Sequence, residues 1–316
     1  VDDRLADVAR RLGAAAEPEV PLGPLTTYRV GGAARLLVRV VDEATLARVA
    51  AAVAATAVPV LVVGKGSNLL VADRGFDGLA VVLGEAFADV VIDEPRDEHV
   101  AVHAGGAAAL PVVARQTAAA GVTGFEWAVG VPGSVGGAVR MNAGGHGSDV
   151  AAALVGVRVL DLLTGQDLQV PASTLDLAYR HSNVAAHQLV VRAELDLRRG
   201  DRATSEAAVR EIVRWRREHQ PGGPNAGSVF TNPPGDSAGR LIDAAGLKGL
   251  RVGSAEVSTK HANFIQADAG GSADDVHALM LEVRRRVAAA TGVELVAETR
   301  LVAFGDVERT EGRAAG

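Results

Sequence analysis

No cysteine occurs among the 316 residues. This excludes disulfides, thiolate metal ligands, a cysteine nucleophile and a cofactor tethered through sulfur. An excess of positive charge is missing too: 32 Lys and Arg face 38 Asp and Glu, a net charge of −6, so nothing broad in the electrostatics favours nucleic acid. No apolar run approaches the length that spans a bilayer, and no basic stretch followed by an apolar one marks a secretory signal. Internal repeats are absent as well. The expectation is a soluble, cytoplasmic protein with no metal, membrane or nucleic-acid partner.

What is present is apolar residue, at 48 %, and a length beyond one ordinary core, so two or three domains are expected. The organising stretch is Gly130-Val131-Pro132-Gly133-Ser134-Val135-Gly136-Gly137-Ala138-Val139-Arg140-Met141-Asn142-Ala143-Gly144-Gly145-His146-Gly147, with seven glycines in eighteen residues. So much glycine argues against a helix or strand of any length and leaves N–H groups to point at a ligand. Val131, Val135, Val139 and Met141 argue against a solvated loop. A buried, glycine-rich backbone fits a phosphate-bearing cofactor.

Leu5, Val8, Ala9 and Leu12 predict an opening amphipathic helix over 2–14. A strand over 34–41, a helix over 43–56 capped by Asp42 and a strand over 59–63 form an expected βαβ unit. Gly64-Lys65-Gly66-Ser67-Asn68 follows, a glycine turn at the carboxyl end of a buried strand. It is not a P-loop, because Gly66 follows Lys65, and not a dinucleotide fingerprint, because Leu69 stands where a third glycine belongs. A tight structural turn and a phosphate loop both remain open. From about Asp73 the apolar runs at 79–83, 90–92, 100–103, 154–160 and 189–197 predict a larger, mostly antiparallel sheet with a helix near 110–120.

A charged helix over 204–219 places Val209, Ile212, Val213 and Trp215 on its apolar positions, and Pro221-Gly222-Gly223-Pro224 closes it as a domain boundary. Gly227-Ser228-Val229-Phe230 lacks the Gly-x-Ser-x-Gly frame of a hydrolase elbow. Helices are expected around 238–245 and over 273–290, and a strand over 295–304 with Glu298 inside it. A carboxylate in such a strand is either on an exposed face or a buried acid with a chemical role.

In family order over nearly the whole chain stand Thr27-Tyr28-Arg29-Val30-Gly31-Gly32, GKGSN at 64–68, the 130–147 stretch, Tyr179-Arg180-His181-Ser182, NAGSVFTNP at 225–233, GLKG at 246–249, KHANFI at 260–265 and Glu298. With these, the chain resembles the UDP-N-acetylenolpyruvoylglucosamine reductases, FAD-dependent enzymes of peptidoglycan precursor synthesis, in their shorter subtype without an inserted tyrosine loop. The resemblance implies an α+β fold: a two-part flavin domain of the vanillyl-alcohol-oxidase kind plus a C-terminal α/β substrate domain. The implied parts are 1–72 joined by 299–316, 73–219, and 220–298.

For non-covalent FAD the resemblance implies Gly64, Lys65, Gly66, Ser67, Asn68 and Leu69 on one side. On the other it implies Val129, Gly130, Pro132, Gly133, Ser134, Gly136, Gly137, Asn142, Ala143 and Gly144, with Arg300 from the C-terminal segment. Tyr179, Asn232, Lys248 and His261 match positions facing the UDP-sugar. NADPH is the implied co-substrate: it delivers hydride to the flavin, and the enolpyruvyl ether then takes hydride at C3 and a proton at C2. Arg180 is suited to the substrate carboxylate through planar, two-pronged pairing. Glu298 matches the acid that donates to the developing enolate, provided burial keeps it protonated, and Ser228 matches the proton donor.

Two departures concern the diphosphate. Thr231 and His219 stand where lysines are common, and Arg216 or Arg217 is the candidate replacement. Two other readings are set against this one. In a flavin oxidase of the same superfamily Ser228 and Glu298 would lack a common purpose; in a non-enzymatic nucleotide binder there would be no need for Arg180, Ser228 and Glu298 together.

Overall fold

The computed structural model describes residues 3–305; the end of the expected 299–316 joining segment lies outside them. In chain order the first half runs α1 (Asp3–Leu12), β1 (Ala16–Pro21), β2 (Ala33–Val40), α2 (Glu43–Thr56), β3 (Val60–Val62), β4 (Leu69–Val71), β5 (Phe76–Leu83), β6 (Val90–Ile92), β7 (His99–Gly105), α3 (Leu110–Ala119), β8 (Val122–Thr123) and α4 (Val135–Met141). Then come β9 (Gly144–Gly145), β10 (Ser148–Asp149), β11 (Leu154–Asp161), β12 (Asp167–Pro171), β13 (Gln188–Arg199), α5 (Arg202–His219), α6 (Ala238–Ala244), β14 (Arg251–Val252), β15 (Ala255–Val257), β16 (Ile265–Ala267), α7 (Ala273–Thr291) and β17 (Arg300–Val302). Packing divides the described residues into two compact units, one of residues 3–18, 36–65 and 78–218, the other of 19–35, 66–77 and 219–305. This division follows packing density. The expected three parts are a division by role, with boundaries at 72/73 and 219/220.

In the first unit α1 buries Leu5, Val8 and Leu12, one stripe at helical spacing, in a core with Leu46, Val49 and Val53 of α2. Asp42 caps α2 by accepting from Thr45 N at 2.7 Å, and Ala57 ends it in the left-handed region. The strands that follow differ from the expected βαβ: the sheet order is β1-β2-β5-β3, so β5 separates β2 from β3. β5 was expected in the larger antiparallel sheet. It pairs parallel with β3 instead, Val60 opposite Leu79 and Val62 opposite Val81. Leu79, Ala80 and Val81 are all fully buried, the unbroken burial of a strand covered on both faces. Each fully buried Leu or Val here stabilises the fold by roughly 1.5–3 kcal/mol.

The larger sheet has the order β12-β11-β13-β7-β6, antiparallel throughout, with β8 also on β13. β13 is its spine, twelve residues long. Its first part is buried on both faces, because Leu189 and Val191 enter the core under α1 and α2 while Val190 enters the core under α3. On α5 only part of the expected apolar face is covered: Val209 is buried and Trp215 stays exposed.

In the second unit β4 pairs parallel with β17, Leu69 opposite Arg300 and Val71 opposite Val302. β14, β15 and β16 form a small antiparallel sheet, packed with α6 and α7 around a core that holds Tyr28, Phe230, Ile242, Leu279 and Val283. Asp73 fixes the start of α7, accepting from Ser272 Oγ at 2.5 Å and Ala273 N at 2.9 Å. The expected strand over 295–304 is shorter than the pattern suggested. Only 300–302 is strand, and Glu298 lies in the irregular chain before it.

His277 on α7 lies with its ring 4.4 Å from that of Phe304, and its Nε2 is buried without a hydrogen-bond partner among the described residues. Burial lowers its pKa, Asp274 opposing and Arg284 adding to the shift. The unfolded chain protonates near about 6.5, so between the folded pKa and that value the unfolded state holds more protons. Stability present above about pH 6.5 is therefore lost as pH falls toward the folded pKa. Thermal melts should fall from about pH 7 to about pH 5 more steeply in the parent than in His277→Leu; parallel melting curves would refute this.

Candidate functional site

The carboxyl end of β3 runs into Gly64 and Lys65, and a cavity of about 120 Å³ opens there. Its walls bring together residues far apart in sequence: Gly64, Lys65, Gly106, Ser134, Gly137 and Arg140, with Val190 of β13. The approach is close. A Cβ on Gly64 would lie 2.5 Å from Ser134 Oγ, and one on Gly136 would meet Gly106 O at 3.2 Å and Val190 O at 3.1 Å. Close approach, not turn geometry, favours glycine at both: the Ser134 side chain crowds Gly64, and backbone carbonyls crowd Gly136.

The 130–147 stretch departs from its expectation of having no regular structure. Its middle is α4, seven residues capped by Ser134, whose Oγ accepts from Gly137 N at 3.3 Å. Tertiary contacts override the low helix propensity of Gly136 and Gly137. The amides of Val135 and Gly136, expected to face a ligand, bond to Ala108 O and Gly106 O, each at 2.9 Å. Donors stay available on both loops: among the described residues no acceptor takes the N–H groups of Gly133 and Ser134, or those of Gly64, Lys65, Gly66, Ser67 and Asn68. Five successive amides suit an anion such as a pyrophosphate. Those of Gly64 and Lys65 border the cavity, which fits the diphosphate part of FAD.

α4 ends at Asn142, left-handed at φ 38° and 2 % exposed. Its side chain was expected against the cofactor, yet it is spent inside the protein: Nδ2 donates to Ala178 O at 2.9 Å and Asp149 Oδ2 at 3.2 Å, and Oδ1 accepts from Ala151 N at 2.9 Å. This anchors the tight turn in which Ala178 and His181 exchange backbone bonds. At its tip Arg180, φ 56°, donates to Gly144 O at 3.0 Å, while Ser182 Oγ donates to Arg140 O at 2.7 Å. The Arg180 guanidinium lies 5.0 Å from the Tyr179 ring centroid, and that ring is 57 % exposed. Val129 is buried in the core, Pro132 is exposed, and Ala143 closes the helix by donating to Ala138 O.

Beyond Gly144 and Gly145 the chain turns through His146 (φ 52°) and Gly147 (φ 85°), a two-residue hairpin loop. The His146 ring meets Trp215 edge-on at 5.0 Å, and burial and the Arg216 charge lower its pKa. Sequence reasoning gave His146 no role.

In the second unit Gly66, φ 61°, has no room for a Cβ because Leu25 and Thr26 press against it. Thr27 N donates to Gly66 O at 3.1 Å, which gives the Thr27–Gly32 motif a structural purpose. Asn68 reaches toward the end of the chain: its Nδ2 donates to Glu298 O at 3.0 Å, and its own carbonyl accepts from Arg300 N at 2.9 Å. Glu298 N in turn donates to Val229 O at 2.8 Å. The loop at 66–68, Glu298 and the residue after Ser228 thus form one hydrogen-bonded chain. Ser228 and Glu298 are both half-buried.

The residues matched to the UDP-sugar are partly engaged elsewhere. Asn232 Oδ1 accepts from Ala238 N at 3.1 Å, helping to start α6, and Lys248 Nζ pairs with Asp243 at 2.8 Å. His261 accepts from Asn263 N on Nδ1 at 3.3 Å, and burial is the main cause that lowers its pKa, with Lys248 adding. Thr231 Oγ1 donates to Val296 O at 3.3 Å. No group of three or more His, Cys, Asp or Glu suited to a metal occurs among the described residues, and none of their helices is long and apolar enough to cross a membrane.

Comparison with known proteins agrees with this geometry. Residues 34–169 match a FAD binding domain, and 218–302 match the C-terminal domain of UDP-N-acetylenolpyruvoylglucosamine reductase. The chain is 45 % identical over 285 residues to that reductase from Heliobacterium modesticaldum, covering 89 % of each chain. It is 42 % identical to the one from an Anaeromyxobacter species, over 98 % of this chain and 96 % of the relative. A crystal structure of the Thermus caldophilus reductase superposes with a TM-score of 0.77 at 36 % identity, over 91 % of this chain and 98 % of that one.

Proposed function

The chain belongs to the UDP-N-acetylenolpyruvoylglucosamine reductase family, and from that premise we propose which residues carry each part of its reaction. The protein is an oxidoreductase of peptidoglycan precursor synthesis. It reduces UDP-N-acetylglucosamine enolpyruvate to UDP-N-acetylmuramate with NADPH and FAD. FAD, when bound, supplies what no side chain here can, a carrier that takes hydride from NADPH at N5 and passes it to C3 of the enolpyruvyl ether.

The amides of Gly64 to Asn68 hold the diphosphate, and Gly64 and Lys65 share their cavity with Ser134, Gly136 and Gly137; Asn142 and Ala143 hold that stretch in shape. Arg180 pairs with the substrate carboxylate, where negative charge grows as hydride arrives. Glu298 makes the second polar contact to the developing enolate. Ser228 gives its hydroxyl proton to C2: the enolate electron pair forms the new C–H bond, and the serine oxygen recovers a proton from solvent. Tyr179, Asn232, Lys248 and His261 face the UDP-sugar, and Arg300 the cofactor. By role the chain divides at 72/73 and 219/220, and it works as a cytoplasmic monomer.

The observation that carries this reading is the chain of bonds from Asn68 to Glu298 and from Glu298 to Val229. It runs from the loop assigned to the diphosphate to Glu298 and to Val229, the residue after Ser228. The test is anaerobic: the flavin-loaded protein should be bleached by NADPH and reoxidised by UDP-N-acetylglucosamine enolpyruvate, but not by simple alcohols. Failure of NADPH to bleach it would overturn the reading.

A further inference from the structure

The segment that carries Ser228 has few bonds of its own. Gly227, φ 75°, precedes the serine in the left-handed region, its N–H held by Asn225 Oδ1 at 3.0 Å. After it the backbone is gripped from two sides. One grip is Glu298 N on Val229 O. The other is a single residue, Asn263, which takes three bonds: its carbonyl accepts from Val229 N at 2.9 Å, its Oδ1 accepts from Phe230 N at 3.0 Å, and its Nδ2 donates to Phe230 O at 2.8 Å.

The Asn263 amide treats Phe230 as a neighbouring strand residue would, matching donor to acceptor at both ends. The reverse orientation of the amide would set like against like. Asn263 is 3 % exposed and Phe230 is 1 % exposed, so water cannot replace these bonds cheaply. Val229 N belongs to the peptide plane that follows the Ser228 Cα, so its bond to the Asn263 backbone carbonyl holds that plane, while the two side-chain bonds hold the next residue. Neighbouring residues keep Asn263 in place: Phe264 O accepts from Ser258 N at 2.8 Å, and the Asn263 N–H meets His261 Nδ1.

We propose that Asn263 is a positioning residue for proton transfer, holding the Val229–Phe230 backbone so that the Ser228 hydroxyl stands at the distance and angle C2 requires. This rests on Ser228 being the proton donor. Misplacing a reacting group by about 1 Å costs as much as about 10²-fold, so a loosened segment slows protonation without touching the NADPH half-reaction.

The test uses the flavin-loaded full chain with Asn263→Asp, which keeps the bond to Phe230 N but turns an oxygen on Phe230 O, and Asn263→Ala, which removes both side-chain bonds. Each is also made in a Ser228→Ala background. The expected result has three parts. NADPH bleaching stays within about 2-fold of the parent while reoxidation by the enolpyruvate substrate slows by roughly 10-fold or more. The same substitution costs less than about 2-fold once Ser228 is alanine. Amide hydrogen exchange quickens across 228–231. Reoxidation at the parent rate in both Asn263 variants overturns the inference, as does an equal loss in the Ser228→Ala background. Loss of flavin or of NADPH bleaching in both variants also overturns it, because Asn263 would then support the fold at large. If Ser228→Ala itself reoxidises at the parent rate, the assignment of Ser228 fails first and the inference falls with it.

Discussion

Ser228→Ala should leave bleaching by NADPH at the parent rate and slow reoxidation by UDP-N-acetylglucosamine enolpyruvate by about 10²-fold or more, the worth of a positioned acid. The first half-reaction involves no proton at C2, so the two rates separate, and stopped-flow absorbance of the flavin reads both. A free hydroxyl is a weak acid, but the carbon it faces is strongly basic, and the Val229 and Phe230 bonds hold the segment where that acidity is used. The loss cannot be attributed to misfolding if flavin content and the bleaching rate are unchanged. Equal rates for parent and variant would make Ser228 a turn residue.

The second large effect concerns cofactor binding. In Gly64→Val the new Cβ would stand 2.5 Å from Ser134 Oγ, a separation side-chain atoms do not adopt. Either Ser134 gives up its cap on α4 or β3 retreats from the cavity. Overpacking costs typically about 1–3 kcal/mol, and here the strain falls on the wall that the diphosphate would touch. FAD affinity should drop by roughly 10- to 100-fold, with the protein purifying colourless but folded, as fluorescence titration with FAD and circular dichroism would show. Gly147→Ala is a fitting control, since no atom lies within 4 Å of a Cβ there and its strain is confined to one left-handed residue. Parent-like flavin binding by Gly64→Val would mean that the two loops are not facing walls of the site.

Much of the fold is legible in the sequence, and particular residues show why. Helix α2 with its Asp42 cap has the expected limits, because cap chemistry and apolar periodicity act within a few residues of each other. The expected strands at 90–92, 154–160 and 189–197 also occur. β5 was read into the wrong sheet because a run of buried apolar residues gives no sign of its partner. Glu298 was read as a strand residue because its apolar neighbours outweigh the hydrogen bonds that hold the chain there in an irregular path. Asn263 sits within the KHANFI motif with no local sign of its role, since its side-chain partner lies 33 residues away.

By itself the sequence determined the chemistry available to the protein: no cysteine, two glycine-rich loops, an arginine, a serine and a glutamate in family order, and helices whose signals are local. The tertiary structure decided what each group is bonded to. It turned the middle of the 130–147 stretch into a helix whose first amides are spent on Gly106 and Ala108, while the N–H groups of Gly133, Ser134 and Gly64 to Asn68 take no acceptor among the described residues. It also gave Asn142 and Asn263 to the backbones beside Arg180 and Ser228. The reason is physical. Propensity, capping and periodicity act over a few residues, whereas satisfying a buried amide depends on which distant backbone the fold brings beside it.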